Sequence, residues 1–380
     1  MFRSERARNI LYQVLLLAAI IGVGWYLVSN TLHNLESRQI QTGFGFLSRE
    51  AGFEIAESHI AYEPSNSYGR ALLVGIANTL YVAAIGIVIA TVLGTLIGIA
   101  RLSPNWLLAK LASSYVEVMR NVPLLLQLFV WYGLFTELLP PVRQAIEIGG
   151  LAFVSQRGFR FAWPAAHVAW TAAVWALLAG VALALAWRVR ARRVQMATGR
   201  QPPVAWPTAA LVVGLPVAAW AAFGAPTRIE IPEMAGFDFQ GGKVMSPEFT
   251  ALLLGLSTYT AAFIAEVVRA GILAVDKGQG EAAMALGLTP GQRLRLVTLP
   301  QALRVIIPPM TSQYLNLAKN SSLAVAIGYP DLVAVANTTM NQTGQAIEAI
   351  AILMAVYLIL SLAISAFMNW YNDRVRLVER

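Results

Sequence analysis

The sequence predicts an all-α, polytopic membrane protein of about eight transmembrane helices, and three observations carry that class. Hydrophobic residues make up 57% of the chain and charged residues only 13%, with a mean hydropathy of +0.60, far outside the range of an ordinary soluble domain. Apolar stretches long enough to cross a ~30 Å hydrocarbon core recur along the whole length. The net charge of +8 sits in short basic flanks between those stretches, which is the topology signal of a membrane protein and not the footprint of a nucleic-acid binder.

The elements follow in order. Arg3, Arg6 and Arg8 precede the first apolar run, Ile10–Ser29, which is longer than the core of a cleaved signal and is followed by no small-x-small site; it reads as a retained anchor. The stretch from Asn30 to Gly69 mixes Glu36, Glu50, Glu54, Glu57 and Glu63 with Phe44, Phe46, Phe53, Tyr62 and Tyr68, and reads as an amphipathic cap on the membrane surface. The second span, Ala71–Ala100, carries Gly86, Ala90, Gly94 and Gly98 at an unbroken spacing of four, a stripe on which another helix backbone can lie closely. The third is Val122–Leu139. The fourth and fifth, Ala165–Trp187 and Pro207–Phe223, hold little besides Ala, Leu, Val and Trp, and read as lipid-facing additions around a core.

The sixth span, Ala251–Leu273, places Glu266 and Arg269 three apart on one helical face, where they can pair; Glu117 and Arg120 repeat that spacing ahead of the third. The seventh, Val305–Ala336, begins after Pro300, is expected to break at Pro308-Pro309, and carries Asn316, Lys319, Asn320, Ser321 and Ser322. Polar or irregular backbone at membrane depth persists only where it is buried in protein or lines a cavity. Lys319 either lines such a cavity or snorkels to an interface. The eighth span is Ile347–Trp370.

Positive-inside asymmetry then orients the chain. Arg101, Lys110 and Arg120, then Arg188, Arg190, Arg192, Arg193 and Arg200, then Arg293, Arg295 and Arg304, and finally Arg374, Arg376 and Arg380 fall on the side of the N-terminal flank. The alternate loops are acid-rich, with Glu230, Glu233, Asp238 and Glu248 in the later one. Both termini are therefore expected in the cytoplasm. So is one insert that hydrophobicity does not explain, GQGEAAMALGLTPGQRLRLVTLP from Gly278 to Pro300. It reads as two very short helices hinged at Gly287: the first stops at a glycine suited to a left-handed C-cap, and the second opens with Thr289, Pro290 and Gln292, the pattern of a capping box.

Several chemistries are missing. No cysteine is present, so disulfides, thiolate metal sites and a cysteine nucleophile are excluded. No Lys is followed by Ser or Thr, so the chain has no P-loop for ATP. His33, His59 and His167 are scattered and form no HExxH zinc motif, and no GxSxG occurs. If this chain moves solute uphill, the energy comes from another subunit or from an ion gradient.

The insert resembles the cytoplasmic signature of permease subunits of bacterial ABC importers. Glu281-Ala282-Ala283 is followed by Gly287 after three residues, then Val297 after nine more, then Leu299-Pro300; Val297 stands where the pattern most often has isoleucine. The stretches LSTYTAAFIAEVVRAGILAVDKGQGEAAMALGL, YVEVMRNVPLLLQLFVWYGL and LAKNSSLAVAIGYPDL are similar to the polar amino-acid branch of the histidine/glutamate type. The resemblance covers about 71–139 and 251–371. It implies a type I importer core of five helices, with residues 1–70 (anchor and outer segment) and 140–250 (two extra spans) as additions, the core resuming at 251–380 with the coupling helix at 278–300. That layout is similar to the long permease of general L-amino-acid or glutamate/glutamine/aspartate/asparagine importers.

The resemblance further implies a division of labour. Two cytosolic ATP-binding subunits would hold ATP and Mg, so this chain carries no cofactor. A second permease, here expected to be a different one, would complete the pathway. A periplasmic binding protein, for which the segment after the first span is an alternative contact, would deliver an L-amino acid across the bacterial inner membrane. Glu281, Ala282, Ala283, Gly287, Arg293, Arg295, Leu299 and Pro300 would seat in the ATPase. The expected lining of the pathway is Asn78, Thr79, Tyr259, Glu266, Asn316, Lys319 and Asn320, polar groups that a zwitterion needs. An ion-coupled secondary transporter acting alone is the rival reading, and a structural membrane subunit the third.

Overall fold

A computed structural model of the protein describes residues 5–37 and 42–375. The terminal arginines Arg3, Arg376 and Arg380 lie outside them. The elements in chain order are α1 (Glu5–Ser37), α2 (Tyr68–Ala100), α3 (Trp106–Asn121), α4 (Leu124–Gly133), strands β1 (Ile146–Ile148), β2 (Ala152–Ser155), β3 (Gly158–Phe161) and β4 (Trp163–Pro164), then α5 (Val168–Thr198), α6 (Ala205–Ala209) and α7 (Leu215–Ala222). Strands β5 (Ile229–Glu230), β6 (Glu233–Ala235), β7 (Asp238–Gln240) and β8 (Lys243–Met245) precede α8 (Pro247–Leu273), α9 (Lys277–Ala285), α10 (Pro290–Arg293), α11 (Leu299–Asn320), α12 (Leu332–Thr343) and α13 (Ala346–Val375).

Six helical segments are long and apolar enough to cross a bilayer: Leu11–Thr31, α2, α5, Ala205–Ala222, α8 and α13. Two bent pairs raise the number to eight, Trp106–Asn121 with Leu124–Leu138 at 106° and Pro290–Ile327 with Leu332–Thr343 at 54°. The polytopic helical class is thus the one the sequence predicts, with differences inside it.

The third span is one. The residues ahead of it, expected as a basic flank, form α3, capped by Asn105, whose carboxamide oxygen accepts from the N–H groups of Leu107 and Leu108 at 3.0 and 3.2 Å. Pro123 forces Val122 into extended backbone and turns the chain into α4. Gln127 staples the bend, its Nε2 donating to the carbonyls of Met119 and Val122 at 2.9 Å each.

The seventh span corrects the expected position of its break. Pro308 and Pro309 lie inside α11, which continues through them because Ile306, Ile307 and Met310 are buried on either side and hold the turn together. The helix breaks later. Ser321 and Ser322 cap its carbonyls at Ala318 and Lys319, 2.8 Å each, a 3-10 turn follows to Ile327, and Gly328 and Pro330 redirect the chain into α12.

The outer segment is also corrected. It does not lie on the membrane surface as an amphipathic cap. Phe46 and Ala51 are buried with Tyr68, Ala71 and Leu72 of α2 and Leu332, Val335 and Ala336 of α12, and Phe53 and Tyr62 pack against that core. Backbone bonds from Ala51 to Asn66 and Gly52 to Pro64 fold it into a strap.

The two expected short helices after α8 become one short and one long. From Pro290 the helix passes through a π turn, Leu294–Thr298, directly into α11. The same device precedes other prolines. π turns at Leu134–Leu138, Ala210–Gly214 and Leu294–Thr298 each end two residues before one, at Pro140, Pro216 and Pro300. In an α-helix a proline ring clashes with the carbonyl four residues back, and a widened turn moves that carbonyl aside.

Residues Gly133–Pro247 form one compact unit and the rest of the chain another. In the smaller unit α5 and the α6–α7 segment make a helical hairpin, and the chain on either side of it forms antiparallel β-structure that the all-α expectation did not contain. Its sheet runs β1-β2-β3-β8, with β4–β5 and β6–β7 as separate pairs. Phe153 stacks on Phe239 at 4.5 Å, and Asp238 takes Arg157 at 3.0 Å and Arg160 at 3.3 Å. Burial raises the Asp238 carboxyl, but the Phe239 N–H and the two guanidiniums more than offset this and hold it below its ordinary value.

In the larger unit α2 lies on α8 through its small-residue stripe. Gly86, Ala90, Gly94 and Gly98 are all buried. A Cβ on Gly94 would come within 2.6 Å of the Ile264 Cβ and 2.8 Å of the Ala261 carbonyl, and one on Gly98 within 2.7 Å of the Ala265 carbonyl.

Two outcomes follow. Gly94→Val forces these helices apart and lowers stability by about 2 kcal/mol, read as a fall in melting temperature of the detergent-solubilised protein. Gly22→Val in α1, where nothing lies within 4 Å, leaves it unchanged. Because the Asp238 carboxyl is depressed, its stabilisation is complete above about pH 4 and is lost as pH falls through the folded value. Asp238→Asn removes that acid-side loss, which amounts to under about 1 kcal/mol since the pair is part-exposed; melting curves at pH 7 and pH 3 measure it.

Candidate functional site

The helix pair after α8 is capped at every end. Asp276 starts α9 by accepting from Gly278 N at 2.6 Å. At its end Gly287 has φ +74°, a left-handed conformation that suits glycine, and two bonds close the turn: Gly287 N to Met284 O at 2.9 Å and Leu288 N to Ala283 O at 3.1 Å. The Thr289–Gln292 capping box then opens α10, with Thr289 N donating to Gln292 Oε1 at 2.9 Å and Gln292 N to Thr289 Oγ1 at 3.4 Å. Gln301 ties α11 back to α9 through Gln279 at 3.3 Å. Ala283 is the buried contact of α9, while Glu281, Ala282 and Arg295 are exposed, Arg293 and Pro300 are half-buried and Leu299 is exposed.

Sequence reasoning missed the apolar surface of this knob. Leu286 is 81% exposed, and Met284, Leu294 and Leu296 are also exposed. Four apolar side chains displayed on a short polar element mark a contact surface. Their signal in the sequence was their very presence within a segment otherwise rich in Gly, Gln and Arg.

The expected pathway residues fall in three places. Asn78 and Thr79, near the start of α2, are fully buried and serve as pins. The Asn78 Nδ2 donates to the carbonyls of Glu57 in the strap and Pro330 at the helix break, both at 2.8 Å. Its Oδ1 is therefore the acceptor from His59 Nδ1–H at 2.9 Å, and His59 stacks on Tyr81 at 3.9 Å. Thr79 Oγ1 accepts from Leu332 N at 3.1 Å, at the first turn of α12. These two side chains hold strap, helix and break together.

Glu266 lies at the far end of α8 among three guanidiniums. Arg269 of the same helix donates at 2.6 Å, Arg101 from the end of α2 pairs with it directly, and Arg120 of α3 stands at 3.9 Å. The expected Glu266–Arg269 pair is thus part of a four-residue cluster joining three helices. No ion pair joins Glu117 to Arg120 among the described residues. Arg120 instead covers the ring of Phe263 at 5.2 Å, which in turn meets Tyr259 at 4.9 Å. Asn78 and Arg101 are 23 residues apart on α2 (101 minus 78), or ~35 Å along the axis, so the pinned amide and the ionic cluster are not one site.

The third group lies on α11, where Asn316 and Lys319 are exposed and Asn320 is half-buried. A cavity of about 350 Å³ between α2, α8, α11 and α13 is lined almost wholly by apolar side chains, and the Thr91 and Tyr314 hydroxyls there bond each other at 3.0 Å. It offers little to a zwitterion. Among the described residues no three metal-ligating side chains are grouped to hold an ion.

These features define a polytopic membrane permease, in which helices crossing the bilayer carry a capped helix pair outside it. The profile of the binding-protein-dependent transport system inner membrane components matches residues 86–377, and the chain belongs to that family, on the amino-acid ABC permease branch. It is 50% identical to a putative amino-acid ABC transporter permease of Escherichia coli K12, across 100% of this chain and 97% of that one. It is 49% identical to the general L-amino acid transport system permease of Rhizobium johnstonii, across 100% and 96%. It is 41% identical to the glutamate/glutamine/aspartate/asparagine transport system permease of Rhodobacter capsulatus, across 99% and 96%. The chain is therefore a multi-pass inner membrane permease subunit, and its relatives are transport components and not enzymes.

Asn78→Leu keeps the volume but leaves the Glu57 and Pro330 carbonyls unbonded. The expected cost is about 3 kcal/mol, with earlier proteolysis in Gly43–Ser67 than in wild type, followed by limited digestion and mass spectrometry.

Proposed function

We propose that this chain is a permease subunit that passes polar L-amino acids into the cytoplasm, acidic amino acids and their amides or a broader range, driven by ATP hydrolysis in two separate cytosolic subunits. The observation that carries the reading is the doubly capped knob, α9 with the start of α10, and its exposed Met284, Leu286, Leu294 and Leu296. A stiff element transmits a rigid displacement, where an uncapped loop would absorb it. Glu281, Ala282, Ala283, Gly287, Arg293, Arg295, Leu299 and Pro300 then form the seat in the ATPase. Apolar side chains supply its contact, and the arginines meet acidic residues at the rim. Both termini and the knob face the cytoplasm, on the strength of the basic flanks.

The substrate class rests on the relatives named above. A periplasmic amino-acid-binding protein and a second, different permease complete the assembly, in which the exposed α11 face with Asn316 and Lys319 contributes to the pathway. Asn78 and Thr79 act there by position and not by contact, and Glu266 acts through its arginines.

Gly287→Val tests the coupling role. A β-branched residue at φ +74° costs about 1–3 kcal/mol and uncaps α9 without meeting a neighbour, since nothing lies within 4 Å. Amino-acid uptake is expected to fall about tenfold or more while the protein still inserts and still co-purifies with its second permease. Full uptake by that variant removes the coupling assignment, and uptake independent of ATP by the wild-type chain alone favours an ion-coupled transporter instead.

A further inference from the structure

We propose that the tip of the α5–α7 hairpin is a binding surface for anionic phospholipid. The apolar part of α5 runs from Val168 to Trp187, 20 residues counted inclusively, and so rises ~30 Å, the thickness of a hydrocarbon core. Trp187 stands at the end of that rise and Trp206, 68% exposed, at the start of the returning helix, so one tryptophan on each arm marks the same interface. The helix does not stop there. It continues to Thr198, and its first six residues past Trp187 include Arg188, Arg190, Arg192 and Arg193, all exposed and all within ~9 Å of the core boundary. That is the depth of the phosphate layer.

The turn keeps them there. Gly199 ends the helix in left-handed conformation, Arg200 follows, and the Trp187 indole N–H donates to the Pro203 carbonyl at 3.0 Å, fastening the return segment across α5. Ala191 is buried on that inner side, which leaves the guanidiniums outside. Nothing in the unit neutralises them: no Asp or Glu occurs between Glu147 and Glu230, and no ion pair among the described residues involves these five arginines. Topology alone asks for positive charge on this side, but not for a rigid helix that carries it two more turns through the headgroup layer. Five unpaired, planar, bidentate donors at phosphate depth match phosphodiester groups in geometry and charge.

The test uses the full-length chain in its importer, placed in bilayer discs of phosphatidylethanolamine with about a quarter phosphatidylglycerol and examined by native mass spectrometry after release. Wild type is expected to retain phosphatidylglycerol over phosphatidylethanolamine by about fivefold or more, less so as salt rises. Replacing Arg188, Arg190, Arg192 and Arg193 together by Gln should bring the ratio close to one, while replacement by Lys keeps most of it. Where the Gln variant fails to accumulate, Arg192→Gln with Arg193→Gln should still halve the preference. A wild-type ratio of one, an unchanged ratio in either Gln variant, full displacement by inorganic phosphate, or an acidic protein found on the tip in place of lipid overturns the proposal. The readout involves no uptake, so its failure leaves the transport reading standing.

Discussion

Two helix backbones in contact set most of the larger unit. Gly94 and Gly98 let α2 lie against Ala261, Ile264 and Ala265 so closely that a single added methyl group would overlap a neighbour. Without a hydrophobic driving force between helices in lipid, such close packing is a main source of their association. The contact also places chemistry. Arg101 follows Gly98 by three residues and Glu266 follows Ala265 by one, so bringing the backbones together brings the ion pair together. Arg120 joins from α3, and the end of α2 is then tied to the helix that leads into α9.

At the opposite end of α2 the joining is done by one amide. Asn78 bonds the strap, the helix break and a histidine at once, using both donors and its acceptor. A charge-free group with three partners is well suited to a buried junction, since it satisfies carbonyls that the strap and the broken span would otherwise leave bare. The larger unit is thus fastened at two levels, by an amide at one end and a carboxylate among arginines at the other, with a dry cavity between α2, α8, α11 and α13.

The sequence made some of this legible and hid the rest for physical reasons. Capping is local chemistry, so Thr289 with Gln292 and the glycine at 287 could be read directly and stand as expected. The four-residue stripe could be read because it is periodic. Partners could not. Glu266 was visible as a candidate and Arg269 as its neighbour, but Arg101 lies 165 positions away in the chain and only the fold brings it close. Asn78 looked like a polar group for a solute because nothing local reveals that its partners are two distant carbonyls. The break in the seventh span was sought at Pro308-Pro309, yet buried flanks carried the helix across, and the serines that do end it are modest signals. The strands of the smaller unit are two to four residues long, too short for any alternation to show.

The π turns before Pro140, Pro216 and Pro300 have a consequence for phase. A π turn holds one residue more than an α turn, so each acts as a built-in insertion that rotates everything beyond it by ~100° about the axis. Between α10 and α11 this decouples two readings of one continuous rod. The residues displayed outside the membrane and those facing the helices inside it keep separate angular registers, joined by Leu294–Thr298. The angle at which the knob is presented is therefore written in the number of residues in that turn, and a single deletion there would swing Leu286 and its neighbours about a quarter of a circle while the buried face of α11 keeps its own register.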